Sequence, residues 1–516
     1  MKLDPVAVTI FVTLFGLVTI LGFVAAGWRR GDLDQLHEWG LGGRRFGTWI
    51  SWFLLGGDLY TAYTFVAVPA LLFGAGATGF FAMPYTILIW PLMFAVFPRL
   101  WSVCHKHGYV TAADFVRARF GSRSLSLAIA VTGIIATMPY IALQLIGIEV
   151  VIAALGLNMA FHVGGVVIDL PLLAAFAILA AYTYNSGLRA PAMIAVVKDL
   201  LIYGTVIAVI IIVPAKLGGF GAIFAAAGKT SLLAAPPSGS LGSYSAYTSL
   251  ALGSALALLL YPHSITGILS ASSRDVIRRN AIVMPAYSLA LGIIALMGFM
   301  ALAAGVKAMP QYAEGFKAFG PNFAVPALLL HMFPSWLVGV AFAAIGIGAL
   351  VPAAIMSIAS ANLFTRDIYR EFLRPNCSAR EESHVAKLMS LLVKAGGLVF
   401  ILLTPQTYAI TLQLLGGVWI SQTLPAVMLG IFFSRLRPGA LLLGWGAGMV
   451  SGTAMVAEAN FKSAIYTLHI FGTAVPCYAA IAALALNLAI AVGLSVILNA
   501  MADAPSRDVT AEEDYA

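Results

Sequence analysis

Residues 51–73 have the sequence SWFLLGGDLYTAYTFVAVPALLF, an apolar run long enough to cross a bilayer that the residues GGD at 56–58 interrupt. Four polar residues follow the interruption: Tyr60, Thr61, Tyr63 and Thr64. Flexible backbone and polar groups are tolerated at membrane depth only where they line a cavity or lie buried in protein. A carboxylate such as that of Asp58 is costly inside a membrane unless it has a role. The segment therefore predicts a transmembrane helix that is broken at a functional site.

A second break of the same kind lies in the apolar run 245–270. Tyr261, Pro262 and His263 interrupt this run, and Ser264 and Thr266 follow them. Glycine and proline also occur as ordinary kinks in transmembrane helices. Both breaks carry an ionisable residue, however, which favours a functional site over a kink.

Apolar runs of this length fill the chain and define its fold class. The 516 residues are 61% hydrophobic and only 10% charged, and the mean hydropathy is +0.95, which is not the composition of a water-soluble core. We predict an all-α integral membrane protein with thirteen transmembrane helices, called spans 1 to 13. In chain order the predicted spans are residues 5–27, 48–73, 79–98, 124–156, 167–186, 191–214, 245–270, 280–304, 335–363, 385–403, 406–433, 437–458 and 474–500.

The positions of the basic residues predict the orientation in the membrane. Most of the 29 lysine and arginine residues lie in the inner segments if the N-terminus is outside and the C-terminus is cytoplasmic. These anchors explain the net charge of +8, so we expect no nucleic-acid partner. Arg29 and Arg30 follow span 1, which indicates a retained helix rather than a secretory signal. The expected location is the inner (cytoplasmic) membrane of a bacterium.

The two breaks lie five spans apart, so spans 2–6 and spans 7–11 each form a set of five helices. An odd number of helices per repeat inverts the second copy, and the two broken helices then meet near the midplane of the membrane. Helix N-termini there offer amides to an anion, and unwound carbonyls offer oxygen atoms to a cation. We predict a single transporter domain over 1–500, with the first repeat at 48–214 and the second at 245–433. The other parts are an extra N-terminal helix at 5–27, C-terminal helices at 437–500 and a short cytoplasmic tail at 501–516.

Four motifs of the chain resemble those of the sodium:solute symporter family. They are HGYVTAADFVRARFGSRS (107–124), TYNSGLRAPAMIAVVKD (183–199), LYPHSITGILSASS (260–273) and ANLFTRDIY (361–369). The resemblance implies a fold of the leucine-transporter type with one extra N-terminal helix and two extra C-terminal helices. The segments MPYIALQLIGIEVV (138–151) and SGLRAPAMIAVVKD (186–199) are similar to the monocarboxylate permease branch. That branch implies small anionic substrates such as lactate, pyruvate, propionate and acetate, with alanine in some members.

The resemblance also implies where a sodium ion binds. The family uses backbone carbonyls at the first break, which match Gly57 and Tyr60, and a pair of adjacent hydroxyl residues in span 9. Counting back from the motif at 367–369 places this pair at positions 351–352, which have no hydroxyl, whereas a local match at Ala354 supplies only Ser357. The site is incomplete in both registers, and a lost ligand is costly for an ion in an apolar site. If sodium is the coupling ion, we expect Gly57, Tyr60, Ala354 and Ser357 around it.

Lys198 and Asp199 lie about two helical turns into span 6, the helix that passes the sodium site in the leucine-transporter type of fold. A lysine ammonium at this place can substitute for the cation and exchange a proton. We therefore hypothesise proton coupling through Lys198, with Asp199 as its neighbour. The alternative is that Lys198 extends to the inner headgroups and pairs with Asp199. Asp58 either relays protons or caps a helix end, and His263 has either a transport role or a structural one.

A small monocarboxylate needs hydrogen-bond donors for two oxygens and an apolar wall. Tyr140 and Gln144 lie one turn apart on one face of span 4, and Trp419 and Gln422 offer an aromatic wall and an amide in span 11. Each of these residues also suits ordinary helix packing. The predicted substrate-binding set is Tyr60, Thr61, Tyr140, Gln144, Tyr261, His263, Trp419 and Gln422. The set contains no arginine, which argues against di- and tricarboxylates.

The sequence thus predicts a secondary active symporter that imports small monocarboxylates, with protons favoured over sodium as the coupling ion and with no organic cofactor. One alternative is sodium-coupled symport of the same or another small organic solute, and another is a transporter-like sensor. An enzyme is not expected, because the sequence shows no phosphate-binding loop, metal-ligand cluster or Ser/His/Asp set. The expected partners are the solute and membrane lipid. The sequence determines neither the preferred acid nor the oligomeric state.

Overall fold

The structure is a computed structural model that describes residues 3–28, 31–157, 159–163, 166–228, 231, 235–403, 409–501 and 508–515. These residues are almost entirely helical, with two short hairpins and a few isolated bridges. Arg29, Arg30 and Arg507, which contribute to the predicted orientation, lie outside the described residues.

Helices α1 to α10 precede the second break. They are Pro5–Val24, Leu36–Leu41, Thr48–Gly57, Val68–Ala75, Ala82–His107, Ala112–Phe120, Arg123–Ala154, Leu170–Ser186, Arg189–Leu217 and Phe220–Ala227. Strands β1 (Ala160–Val163) and β2 (Val166–Asp169) form an antiparallel hairpin between α7 and α8.

Helices α11 to α22 complete the chain. They are Gly242–Leu258, Pro262–Leu269, Arg274–Val283, Pro285–Ala303, Ala313–Phe319, Ala324–Met332, Ser335–Leu363, Ala379–Leu403, Ile410–Ile420, Gly430–Phe432, Pro438–Glu458 and Ala479–Met501. Strands β3 (Ile465–Ile470) and β4 (Thr473–Tyr478) form a second antiparallel hairpin, between α21 and α22.

The chain is a multi-pass membrane protein. Within the described residues, 10 helices are long and apolar enough to cross a membrane, or 11 if the bent pair α11 and α12 forms one span. The predicted number of thirteen is therefore not confirmed. One reason concerns span 5: a hairpin precedes α8, and this helix has only 17 residues. That is shorter than the roughly 20 residues that a spanning helix needs. Another is that the second arm of span 2 and span 3 follow each other as one helical stretch, Tyr63–His107. Residues 474–478, predicted as the start of span 13, belong to strand β4.

Both predicted helix breaks are present. Helix α3 ends at Gly57, and helical structure resumes with a π-helical turn at Tyr63–Ala67 before α4. Helix α11 ends at Leu258, and α12 begins at Pro262 with a bend of 48° between the two axes. Proline suits the first position of α12 because its ring fixes φ and because an N–H at that position has no partner within the helix.

Helix α17 occupies the centre of the molecule. It packs against α1, α7, α9, α12 and α18, and almost every one of its residues is buried. Small residues permit this close packing: a Cβ at Gly339 would lie 2.6 Å from the carbonyl oxygen of Ala7 in α1. Span 9, which α17 forms, is therefore surrounded by protein rather than lipid.

The described part of the C-terminal tail folds back onto α5 and α6. Asp514 accepts hydrogen bonds from Lys106 and contacts His107 at 2.7 Å, and Arg119 pairs with Asp508 at 2.5 Å. The ring of Tyr515 lies under the Arg119 guanidinium at 5.2 Å. The predicted short tail is thus attached to the helical body over residues 508–515.

Candidate functional site

The two broken helices contact each other through the side chains that interrupt them. Asp58 lies at the first break and His263 in the first turn after the second break, with His263 Nε2 3.3 Å from Asp58 Oδ2. Ser264 donates a hydrogen bond to the same carboxylate oxygen at 3.4 Å. All three residues are buried. Asp58 Oδ1 and His263 Nδ1 have no hydrogen-bond partner in the described part of the chain, so polar capacity at the meeting point is unused.

Lys198 brings a positive charge to the first break. Its side chain is fully buried, and its Nζ donates to the carbonyl oxygens of Gly57 at 2.5 Å and Tyr60 at 3.0 Å. Asp199 Oδ1 lies 3.0 Å from the same ammonium. These are the two carbonyls that the family resemblance assigns to a cation, and an ammonium at such distances leaves no room for a second cation between them. Of the alternative role for Lys198, the pairing with Asp199 is present, whereas the side chain is fully buried and does not extend to the surface.

A group of aromatic residues surrounds this ion pair. The hydroxyl of Tyr287 in α14 donates to Asp199 Oδ2 at 2.6 Å, and the carbonyl of Tyr287 accepts from the hydroxyl of Tyr60 at 2.9 Å. The rings of Tyr60, Tyr203 and Tyr287 lie within 5.8 Å of one another. Gly56 leaves the space for Tyr287, since a Cβ there would lie 2.3 Å from its ring. Tyr287 was not among the predicted site residues, and the pair of glycines at 56 and 57 is the indication in the sequence of a close neighbour.

Apart from Tyr60, five of the eight predicted substrate residues lie at or beside the breaks. Gln144 accepts a hydrogen bond from the amide of Ala62 at 3.1 Å, and Thr61 accepts one from the amide of Tyr63 at 3.0 Å. The Tyr140 ring packs against the rings of Tyr261 at 5.4 Å and His263 at 5.5 Å.

Some polar atoms at the breaks have a hydrogen-bond partner within the protein, and others have none. Tyr261 donates its hydroxyl to the carbonyl of Gln413 at 3.0 Å. Gln144 Nε2 and the Tyr63 hydroxyl are buried without a hydrogen-bond partner among the described residues. Gln413 was also missed from the sequence, and its buried Oε1 is equally without a described partner. Gln144 Nε2 and the Tyr63 hydroxyl are therefore free donors for an oxyanion beside the breaks, whereas Gln413 Oε1 is an acceptor.

Tyr60 lies at the first break but turns its hydroxyl to Tyr287, whereas Trp419 and Gln422 bond to the C-terminal helices. The Tyr60 hydroxyl is engaged with Tyr287, beside the ion pair. The Trp419 indole donates to Thr453 of α21 at 3.1 Å, and Gln422 Oε1 accepts from Asn487 of α22 at 3.2 Å. Trp419 and Gln422 thus attach span 11 to the C-terminal helices rather than line the breaks.

Ala354 and Ser357, the two predicted ion ligands in α17, lie away from the carbonyls of Gly57 and Tyr60. A Cβ at Gly348 would lie 3.7 Å from the Tyr60 carbonyl oxygen, so this part of α17 is the one beside the first break. Ala354 and Ser357 follow about 9 and 13 Å further along the helix axis. The Ser357 hydroxyl donates to the Ala354 carbonyl at 2.8 Å. Residues 351–352, the other possible pair, lie about one turn after Gly348 and so are nearer the Gly57 and Tyr60 carbonyls. These two residues have no hydroxyl group.

Comparison with known proteins gives consistent matches over nearly the whole chain. The family model described as "Sodium:solute symporter family" matches residues 39–450. The chain is 48% identical over 505 residues to the "Monocarboxylate transport permease protein" of Rhizobium johnstonii, covering 97% of this chain and 98% of that one. It is 32% identical over 435 residues to the "Uncharacterized symporter YodF" of Bacillus subtilis, covering 84% of each.

The fold is similar to that of a solved transporter. A Na⁺-coupled sialic acid symporter in a substrate-bound outward-open state superimposes with a TM-score of 0.72 and 16% sequence identity, over 98% of this chain and 99% of that one. At this identity the similarity concerns the fold and not the solute or the ion.

Proposed function

Since this chain belongs to the sodium:solute symporter family and is a secondary active transporter rather than an enzyme, we propose that it imports small monocarboxylates together with protons. Lactate, pyruvate, propionate and acetate are the proposed solutes, with alanine as a further one. The name of the 48% identical relative supports this class of solute. The proposed mechanism is alternating access, in which the site at the two breaks opens to one side of the membrane at a time.

The donors at the breaks support a singly charged substrate. Gln144 Nε2, the Tyr63 hydroxyl and His263 are buried with spare hydrogen-bonding capacity. A carboxylate carries one charge, which amides, hydroxyls and the N-terminal end of α12 are able to balance. The buried Arg189 does not add to this site, because its guanidinium is bonded to the carbonyl and the carboxylate of Glu38. A second carboxylate would lack a matching cation.

The contacts of Lys198 carry the proposal of proton coupling. Its ammonium occupies the two carbonyls, of Gly57 and Tyr60, that a sodium ion would need. Release of a proton from this ammonium removes the positive charge that holds the carbonyls together, and rebinding restores it. Asp199 and Tyr287 keep the amine at this place in either state. The second candidate is sodium coupling, which the family description favours.

We propose the following arrangement in the membrane. Thirteen helices cross it, of which 48–214 and 245–433 form two inverted repeats, and the helices at 5–27 and 437–500 are additions to them. The N-terminus is outside and the C-terminus, with the docked tail, is in the cytoplasm of a bacterium. The surplus of basic residues on one side supports this orientation.

Uptake by proteoliposomes tests the function and separates the two ions. We expect labelled lactate to accumulate when the outside is made acidic in sodium-free buffer, and to exchange with other acids of two to four carbons. A sodium gradient at equal pH should give no accumulation. Accumulation that requires sodium and ignores the pH gradient would refute proton coupling. A lack of saturable accumulation of every acid under both gradients would refute the transport of monocarboxylates.

A further inference from the structure

A large basic cavity lies at the end of the molecule that is cytoplasmic in the proposed orientation. Its volume is about 480 Å³, and its walls come from α2, the loop before α3, the end of α5 and the turns that join α17 to α18. Three arginines line it, namely Arg44, Arg366 and Arg370. We call this cavity the arginine vestibule. It is large enough for a small organic acid with several waters.

The charges in the arginine vestibule do not balance. Glu382 is the acidic residue in its lining, and this carboxylate is shared between Arg366 at 2.9 Å and Arg370 at 3.1 Å. Arg366 also pairs with Asp114 at 3.3 Å, so two carboxylates face three arginines. Arg44 donates a hydrogen bond from Nη2 to the carbonyl oxygen of Tyr109 at 2.5 Å. Its other terminal nitrogen, Nη1, is buried and has no hydrogen-bond partner within the described residues. A guanidinium with a free donor in a basic cavity favours a carboxylate or another oxyanion.

The arginine vestibule adjoins the substrate site. On the other side of Val110 lies a second cavity of about 20 Å³, whose lining includes Pro262 and Thr266 of the second broken helix. Val110 lines both cavities. Val110 therefore lies between the two cavities, and its amide donates a hydrogen bond to Asp114 at 3.0 Å. The small cavity has room for about one water, so the path is closed to an acid in this structure.

We propose that the arginine vestibule is a low-affinity subsite for the transported monocarboxylate on the cytoplasmic side, with Arg44 as its main ligand. This inference rests on the proposed function. An acid that leaves the breaks past Val110 meets the Arg44 guanidinium, which lines the cavity, before it reaches bulk water. The positive lining also raises the local concentration of anions. The subsite therefore sets the apparent affinity for the acid from the cytoplasm and leaves that from outside unaffected.

Membrane vesicles of both orientations test this subsite in the full-length protein. Everted vesicles present the cytoplasmic face to labelled lactate, and right-side-out vesicles present the outer face. Arg44→Gln should raise the half-saturation concentration at least about tenfold at the cytoplasmic face, as expected for one charge-assisted contact. The value at the outer face should change by less than about twofold, since the site at the breaks is intact. This second value also shows that the variant is folded and active.

The matched control is Arg279→Gln in α13. Arg279 is exposed, and α13 does not contribute to the arginine vestibule, so the same loss of charge should leave both values unchanged. If Arg44→Gln does not reach the membrane, Arg370→Gln removes a vestibule charge from a side chain that is 45% exposed. It should shift the cytoplasmic value in the same direction. An unchanged cytoplasmic value in the variant that is active overturns the subsite.

Two further measurements distinguish the subsite from a lipid-binding site and from a failure of the proposed function. Proteoliposomes with and without phosphatidylglycerol show whether the arginines bind a lipid headgroup instead, and an effect of Arg44→Gln that requires phosphatidylglycerol overturns the subsite. If the wild type accumulates no monocarboxylate, the proposed function fails. If the wild type accumulates lactate and Arg44→Gln behaves as the wild type on both faces, only the subsite fails.

Discussion

Replacing Lys198 by methionine should abolish accumulation driven by a pH gradient. Methionine keeps most of the length and volume of lysine but provides no ammonium. The carbonyls of Gly57 and Tyr60 then lose their donor, and Asp199 keeps the hydroxyl of Tyr287 as its partner. Exchange of internal for external acid needs no net proton movement. We therefore expect this exchange to remain in the Lys198→Met variant.

The expected loss of stability follows from the burial of the ion pair. Lys198 and Asp199 are both fully buried and 3.0 Å apart. Removing one partner of a buried pair costs about 3–5 kcal/mol, because the other charge is left without compensation. Much of this cost should disappear in the double variant Lys198→Met with Asp199→Asn, which removes both charges. Thermal unfolding of the detergent-purified protein should therefore rank the single variant below the double variant.

Proteoliposomes that contain the double variant give the decisive measurement. We expect exchange of labelled lactate without accumulation under a pH gradient. The control is Lys394→Met in α18, which also removes a fully buried ammonium, but one whose neighbour is the Ser390 carbonyl at 3.4 Å. This control should still accumulate lactate. Accumulation by the double variant under a pH gradient alone would show that Lys198 does not carry the proton.

Three other changes test single contacts. Gln144→Leu should raise the KM for lactate about tenfold through loss of a donor to a charged oxygen, and an unchanged KM in uptake assays would remove Gln144 from the site. Trp419→Phe should leave KM unchanged and lower stability by about 1 kcal/mol through the lost bond to Thr453, so a changed KM with an unchanged Tm contradicts its placement. The hydrogen bond from Lys106 holds the pKa of Asp514 well below its usual range, so the docked tail is favoured above pH ~4 and loses this stabilisation as the pH falls. Asp514→Asn should make the tail sensitive to protease at neutral pH, whereas the wild-type tail becomes sensitive in acid; equal digestion rates at neutral pH contradict this docking.

The sequence predicts best those features that depend on the membrane itself. Glycine and aspartate at 56–58 and proline and histidine at 262–263 stand out because lipid excludes polar backbone, whatever the neighbouring helices are. The contact between Asp58 and His263 and the place of Lys198 follow from the same constraint together with the family resemblance. The local rule therefore locates the two breaks, and the family resemblance supplies the place of Lys198 beside the first one.

Features that depend on how helices are rotated against one another are harder to predict. Trp419 and Gln422 face α21 and α22, and no local pattern in span 11 distinguishes this face from the one toward the breaks. Tyr287 lies in the first turn of α14, and no charged residue in its span marks it as a partner of Asp199. The number of spans is also uncertain from the sequence, because the hairpin before α8 has the same apolar composition as the helix it precedes.

The covalent attachment of the Lys198 ammonium to α9 has an electrical consequence. A sodium ion would leave its site with the solute, whereas the lysine stays in the protein and only its proton departs. One proton moved with one monovalent anion transfers no net charge across the bilayer. In the proposed cycle the membrane voltage therefore does no work, and the acid reaches an inside-to-outside ratio of about tenfold for each unit of pH difference.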